Sequence, residues 1–263
     1  MTQAFAINFE LLKVEDIMPW GTGTDRKLHW FGLTDGFYWV STPLGEALRY
    51  TEAALAEFNR KSPYCDSPYL TYQVAQIFQD IQQVLPYALE PVPADIAEIV
   101  TNPDWIAKGD AWFESDQSSS ELREEWWEAI EWWNYRSLDT AYMVHGPTFQ
   151  FWRVEDQISI RSDSNEAVES IWKLPRGEFS LDVQSFTSSC ESFLQRVIDQ
   201  MQTRVDCINQ QGWLRKDCVL DIPLLNREQR DRAALIKTIK DRRPNTDWNV
   251  ARERLHKLRQ HFE

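Results

Sequence analysis

The stretch Leu28-His29-Trp30-Phe31-Gly32-Leu33-Thr34-Asp35-Gly36-Phe37-Tyr38-Trp39-Val40 constrains the fold of this chain more than any other. Asp35-Gly36 is the pair that a two-residue type I′ hairpin loop prefers, because both central residues of that turn need positive φ. With that loop, Thr34 faces Phe37, Leu33 faces Tyr38, Gly32 faces Trp39 and Phe31 faces Val40. One face then carries His29, Phe31, Leu33, Tyr38 and Val40, and the other Leu28, Trp30, Gly32, Phe37 and Trp39. A half-solvated antiparallel pair alternates apolar with polar residues. The expected hairpin is apolar on both faces, so it is either covered on both or offers one as a binding surface.

Phe5 to Leu11 alternates as a first strand, and a short strand is expected over Ala47–Tyr50. Pro68 is expected to open a helix running to about Leu85, with Tyr72, Ile77, Phe78, Ile81 and Leu85 recurring at a 3.6-residue period. The opposite face is rich in glutamine (Gln73, Gln76, Gln79, Gln82, Gln83) and carries no signal of its own. A short helix is predicted over 94–100, and 101–118 reads as a loop. Ser118-Ser119-Ser120 supplies the cap of a helix over about 121–137. Thr140–His145, Thr148–Val154 and Gln157–Ser162 read as a three-stranded meander with Glu155-Asp156 at its second turn. From Val183 one apolar stripe (Phe186, Cys190, Phe193, Val197, Met201, Val205) predicts a long core helix. Helices over 226–242 and from Trp248 onward complete the chain. This order predicts an α+β fold, with an antiparallel hairpin and meander packed against several helices and a helical C-terminal third. The expected division is a mixed body over 1–180 and a helical region over 181–263, packed on the body as one unit.

The 263 residues carry a formal net charge of −13. The balance is uneven: residues 227–263 hold 11 Lys/Arg against 6 Asp/Glu, and the rest 17 against 35. An acidic body opposes general nucleic-acid binding, which needs cationic surface, and suits steering toward a basic partner. Cys65, Cys190, Cys207 and Cys218 form no close pair and no zinc-binding ladder. With no apolar run approaching ~18 residues and no leader-like start, a soluble cytoplasmic protein with reduced thiols is expected.

Four of the 13 tryptophans are Trp126, Trp127, Trp132 and Trp133. On a wheel of ~100° per residue, Leu122, Trp126, Ala129, Ile130 and Trp133 share the core sector. Glu124, Glu128 and Glu131 fall opposite with Glu121 beside them, and Trp127 and Trp132 border that acidic row. An aromatic side chain buries ~150–250 Å², so two solvated indoles call for a cover. The following meander would serve, or a partner, since tryptophan is favoured at binding hot spots. The candidate partner-binding set is therefore Glu124, Trp127, Glu128, Glu131 and Trp132.

No phosphate loop, dinucleotide fingerprint, nucleophile elbow or zinc-protease motif occurs. Asp35, Asp139, Glu155 and Asp156 sit where carboxylates serve as turn formers. No catalytic residue, metal site or cofactor is assigned. The expected function is a non-catalytic binding protein, immunity- or antitoxin-like, covering a basic partner such as a toxin or nuclease. One alternative is an enzyme with a pocket between hairpin and meander built from His29, Asp35 and His145. Another is nucleic-acid contact through Arg242, Arg243, Arg252, Arg254, Lys257 and Arg259.

Pro19-Trp20-Gly21, the long motif from Leu28 to Trp39, Leu138-Asp139-Thr140 and Phe151-Trp152-Arg153 resemble a bacterial family defined only as a domain of unknown function. The resemblance spans most of the chain. It implies a bacterial cytoplasmic origin and one fold for the family, and it supplies no catalytic residues.

Overall fold

A strand begins at Asp35, where the sequence placed a turn. The computed structural model describes residues 5–61, 67–114, 120–140, 142–143, 145–163, 166–173 and 177–262. Cys65, Ser118 and Ser119 lie outside these residues, as do the side chains of Glu121 and Leu122. The first half runs β1 (Ala6–Leu11), β2 (Lys27–Leu28), β3 (Asp35–Thr42), β4 (Gly45–Ala47), β5 (Arg49–Tyr50), α1 (Glu52–Lys61), β6 (Leu70–Gln73), α2 (Val74–Leu89), α3 (Ala94–Val100), α4 (Pro103–Glu114) and α5 (Ser120–Asn134). The second runs β7 (Ser137–Asp139), β8 (Thr148–Val154), β9 (Gln157–Asp163), α6 (Glu166–Ile171), β10 (Trp172–Lys173), β11 (Gly177–Asp182), α7 (Val183–Gln211), β12 (Val219–Leu220), α8 (Ile222–Ile236) and α9 (Trp248–Phe262). The class is α+β with a helical C-terminal region.

The expected hairpin over 28–40 is corrected. Asp35 is extended (φ −56°, ψ 134°), and β3 pairs antiparallel with β1, β4 and β6. The turn out of β3 falls at Pro43-Leu44, before β4. Gly36 is required for close approach rather than for a turn, since a Cβ there would overlap the Glu10 carbonyl of β1. The residues before Asp35 are drawn inward instead. Leu28 pairs in parallel with Leu220. Trp30 is fully buried and donates its indole N–H to Gln229 Oε1 at 2.8 Å. The Thr34 hydroxyl donates to the Phe31 carbonyl at 2.7 Å and accepts from the Ala75 N–H at 2.9 Å, closing a 3-10 turn over Gly32–Thr34.

Other boundaries shift for equally specific reasons. Leu70–Gln73 pairs with Tyr38 to Asp35 of β3, so the helix begins at Val74 rather than Pro68, and it passes Pro86 to reach Leu89. The expected loop contains α4, whose Trp105 is buried. Gly109 lets α4 lie against the Trp126 ring, which a Cβ would overlap. The meander starts at Ser137 rather than Thr140, because the buried Thr140 turns the chain by bonding to the Pro147 carbonyl. It continues into a fourth strand, giving the order β11-β9-β8-β7.

α2 and α7 both pack on strands of the two four-stranded sheets. Phe186 of α7 meets Phe5 at 5.6 Å and Phe151 at 5.7 Å, joining them in the larger core. A second core gathers Ile96, Trp105, Trp126, Trp133, Trp152 and Leu255. β8 separates the two: Phe149 and Phe151 face the first, and Trp152 turns to the second, as strand alternation requires. α9 closes the second core with Ala251, Leu255 and Leu258. No helix among the described residues is long and apolar enough to cross a membrane.

Candidate functional site

α5 buries Trp126, Ala129, Ile130 and Trp133 as its periodicity predicts. Trp132, expected to border the acidic row in solvent, is only 6% exposed. Its cover is the start of α9. The Trp248 ring stands edge-on to it at 5.0 Å, and its indole N–H is satisfied by the Ala129 carbonyl at 2.8 Å.

A buried ion pair fixes this junction. Arg136 has no solvent exposure, and its guanidinium lies 5.1 Å from the Trp132 ring and 5.2 Å from the Trp248 ring. It donates to the Trp132 carbonyl at 2.7 Å and to Glu90 Oε2 at 2.6 Å. Burial pulls its pKa down, while Glu90 opposes that shift. Glu90 also accepts from the Thr246 hydroxyl at 2.7 Å and the Thr246 N–H at 3.2 Å. The segment leading into α9 is thereby fastened to the C-terminal ends of α2 and α5.

α9 also answers much of the acidic surface. Arg254 pairs with Glu128 at 2.7 Å, Lys257 with Glu125, and Arg252 with Asp95 of α3 at 2.5 Å. Three cations of the expected nucleic-acid patch are thus held by carboxylates of the same chain. What remains in water on α5 is narrower than the expected row. Glu124, Glu131 and Trp127 are exposed, Trp127 at 54%, and none of the ion pairs among the described residues reaches Glu124 or Glu131. Glu131 accepts the Tyr135 hydroxyl at 2.8 Å, a bond that raises the phenol's pKa. Tyr135 stacks on Tyr87 of α2, with ring centroids 4.8 Å apart.

Glu131, Tyr135 and Tyr87 line a groove of about 280 Å³ between α5 and the start of α9. Glu128, Glu131 and Trp132 of the expected set meet there, joined by Tyr87, Tyr135 and Asp247. Glu124 and Trp127 lie outside the groove, continuing the exposed row toward the N-terminal end of α5. Tyr87, Tyr135 and Asp247 were missed. Tyr135 stands four residues after Glu131 and so on its face, which the spacing alone discloses. Tyr87 and Asp247 arrive from distant parts of the chain. Carboxylates beside aromatic faces form a site for a guanidinium or ammonium group.

The residues of the expected enzyme pocket have different surroundings. His29 lies edge-on to Trp20 at 4.7 Å and accepts the Gly32 N–H at 3.3 Å, and burial lowers its pKa. Asp35 starts β3; burial raises its carboxyl, opposed by the Gly36 N–H and Arg204. His145 is exposed in the turn before β8, at φ 50°. Another titratable group, Asp80 of α2, joins a hydrogen-bonded cluster with Tyr38 of β3 and Tyr142. The Tyr38 and Tyr142 hydroxyls are 2.9 Å apart, Tyr142 donates to Asp80 at 3.3 Å, and Gln76 donates to Asp80 at 2.9 Å. Burial pushes the Asp80 carboxyl up to about 6. Among the described residues no group of His, Cys, Asp and Glu is arranged to hold a metal ion.

Residues 6–254 match a family of unknown function (DUF5984), and the chain belongs to that family. No curated protein and no solved structure matches it.

Proposed function

We propose that this member of the family is a non-catalytic binding protein whose groove between α5 and α9 receives a cationic side chain of a basic partner, as an immunity or antitoxin protein covers a toxin or nuclease. The observation that carries this reading is the selective neutralisation of α5. α9 supplies cations to Glu125 and Glu128, while Glu131, backed by Tyr135, is left for an outside charge. An arginine seated there meets a carboxylate and the Tyr87–Tyr135 rings, the pairing that makes arginine an interface anchor. Trp127 and Glu124 extend the contact along the helix.

The test is capture from the native host with wild type, Glu131→Lys and Glu124→Lys, each eluted by a salt gradient. Glu128 is left alone, because its reversal also breaks the pair with Arg254. The expected result is a stoichiometric basic protein, released by salt and lost with the reversals, as rim charges set encounter rate and salt dependence. Capture unchanged in both variants overturns the assignment.

A further inference from the structure

The acidic groove continues past the tyrosines. Tyr87, Tyr135 and Pro244 line it on one side and border a second hollow of about 640 Å³ on the other. There the chemistry inverts. The described lining holds no carboxylate and instead presents the amides of Gln79, Gln82 and Asn134 with the guanidinium group of Arg242, while Arg243 donates to the Arg242 carbonyl at 2.9 Å. The glutamine face of α2, silent in the sequence, forms one wall.

Gln82 adds a more specific feature. Its side-chain Nε2 is buried with no hydrogen-bond partner among the described residues. Four residues later Pro86 lies inside α2 and has no N–H to return to the Gln82 carbonyl. Gln82 leaves one side-chain donor unused at this hollow. A peptide unit presents the complementary C=O.

We propose that the two hollows together hold an extended peptide segment of the partner, with a basic side chain on the Glu131 side of the tyrosines and a carboxylate side chain on the Arg242 side. This rests on the reading of the acidic groove given above and adds the class of ligand. The edge of α5 that lines the two hollows runs from Glu128 to Asn134, roughly 9 Å at ~1.5 Å per residue. An extended chain covers ~3.3 Å per residue. The basic and acidic residues of the ligand are thus about three positions apart.

The experiment is selection of a random displayed peptide library on the intact protein, followed by affinity measurements with a synthetic peptide of the enriched pattern. Wild type, Arg242→Gln and Glu131→Gln are compared, each with its melting temperature as a folding control. The expected library pairs Lys or Arg with Asp or Glu about three positions away. Loss of one charge-assisted contact corresponds to about tenfold or more in affinity. Arg242→Gln should show that loss, and so should a peptide with Gln in place of its acid. Enriched basic peptides with no acidic preference, bound equally by Arg242→Gln, overturn this inference and leave the acidic groove standing. A selection that enriches no basic residue overturns both.

Discussion

Arg254 of α9 grips Glu128 of α5 twice, through the carboxylate at 2.7 Å and through the main-chain carbonyl at 3.3 Å. Arg254 and Lys257 of the basic C-terminal helix are therefore spent on the chain's own acidic helix rather than held out to a partner. Reversing one charge, in Arg254→Glu, should cost about 0.5–1 kcal/mol for an exposed pair. The swapped pair Glu128→Arg with Arg254→Glu should recover most of it. Urea unfolding of the four proteins of the cycle measures the coupling, and strictly additive losses would show the pair to be energetically idle.

The Glu90–Arg136 pair behaves differently because it is buried. Glu90→Gln leaves a fully enclosed guanidinium facing a neutral amide, and removal of one partner of a buried pair costs about 3–5 kcal/mol. Thr246→Val removes only a neutral donor to Glu90 and should cost about 1 kcal/mol. Chemical denaturation ranks the two, and equal losses would contradict the central place given to Arg136.

Asp80 makes a pH-dependent contribution. Its folded carboxyl is raised to about 6 from 3.8, so the folded state binds a proton that the unfolded chain has already released. The resulting penalty is absent below about pH 4, grows between pH 4 and 6, and is complete above that range. Asp80→Asn removes it and should stabilise the protein by about 1–2 kcal/mol at neutral pH, discounting the group's partial exposure. Melting temperatures of the two proteins should coincide near pH 4 and separate by several degrees at pH 7.

Gly109→Ala tests the contact between α4 and α5. The added methyl group points into the indole of Trp126, which is itself held in the second core. Overpacking of this kind costs about 1–3 kcal/mol, against the small gain that alanine brings to an open helix position. A net stabilisation in thermal unfolding would mean that the helices separate freely.

Elements whose sequence period matches their packing were legible. The stripe from Phe186 to Val205 is α7, and strands β8 and β9 with their turn at Glu155-Asp156 lie where alternation placed them. Three of the misreadings share one cause. At Asp35-Gly36 and at Leu70–Gln73 the local preference was overridden by a distant strand, and at Trp30 by a buried glutamine nearly 200 positions away in the chain. Glu124, Trp127, Glu128 and Glu131 lie on the exposed face of α5 where the wheel set them. Trp132 does not, because a wheel knows nothing of a helix such as α9 that arrives from the far end of the sequence. The same limit hid Tyr87 and Asp247, whose place in the groove exists only once three helices meet.

The Trp132 indole lines the groove on one edge and contacts Trp248 at 5.0 Å and Trp133 at 5.8 Å, and Trp133 in turn lies 5.7 Å from Trp152. Rings so close share their electronic transitions. The wall of the groove is thus the end of an optically coupled row that reaches β8, and a molecule settling against it alters near-ultraviolet dichroism and emission. The protein carries its own indicator of occupancy, with no label to attach.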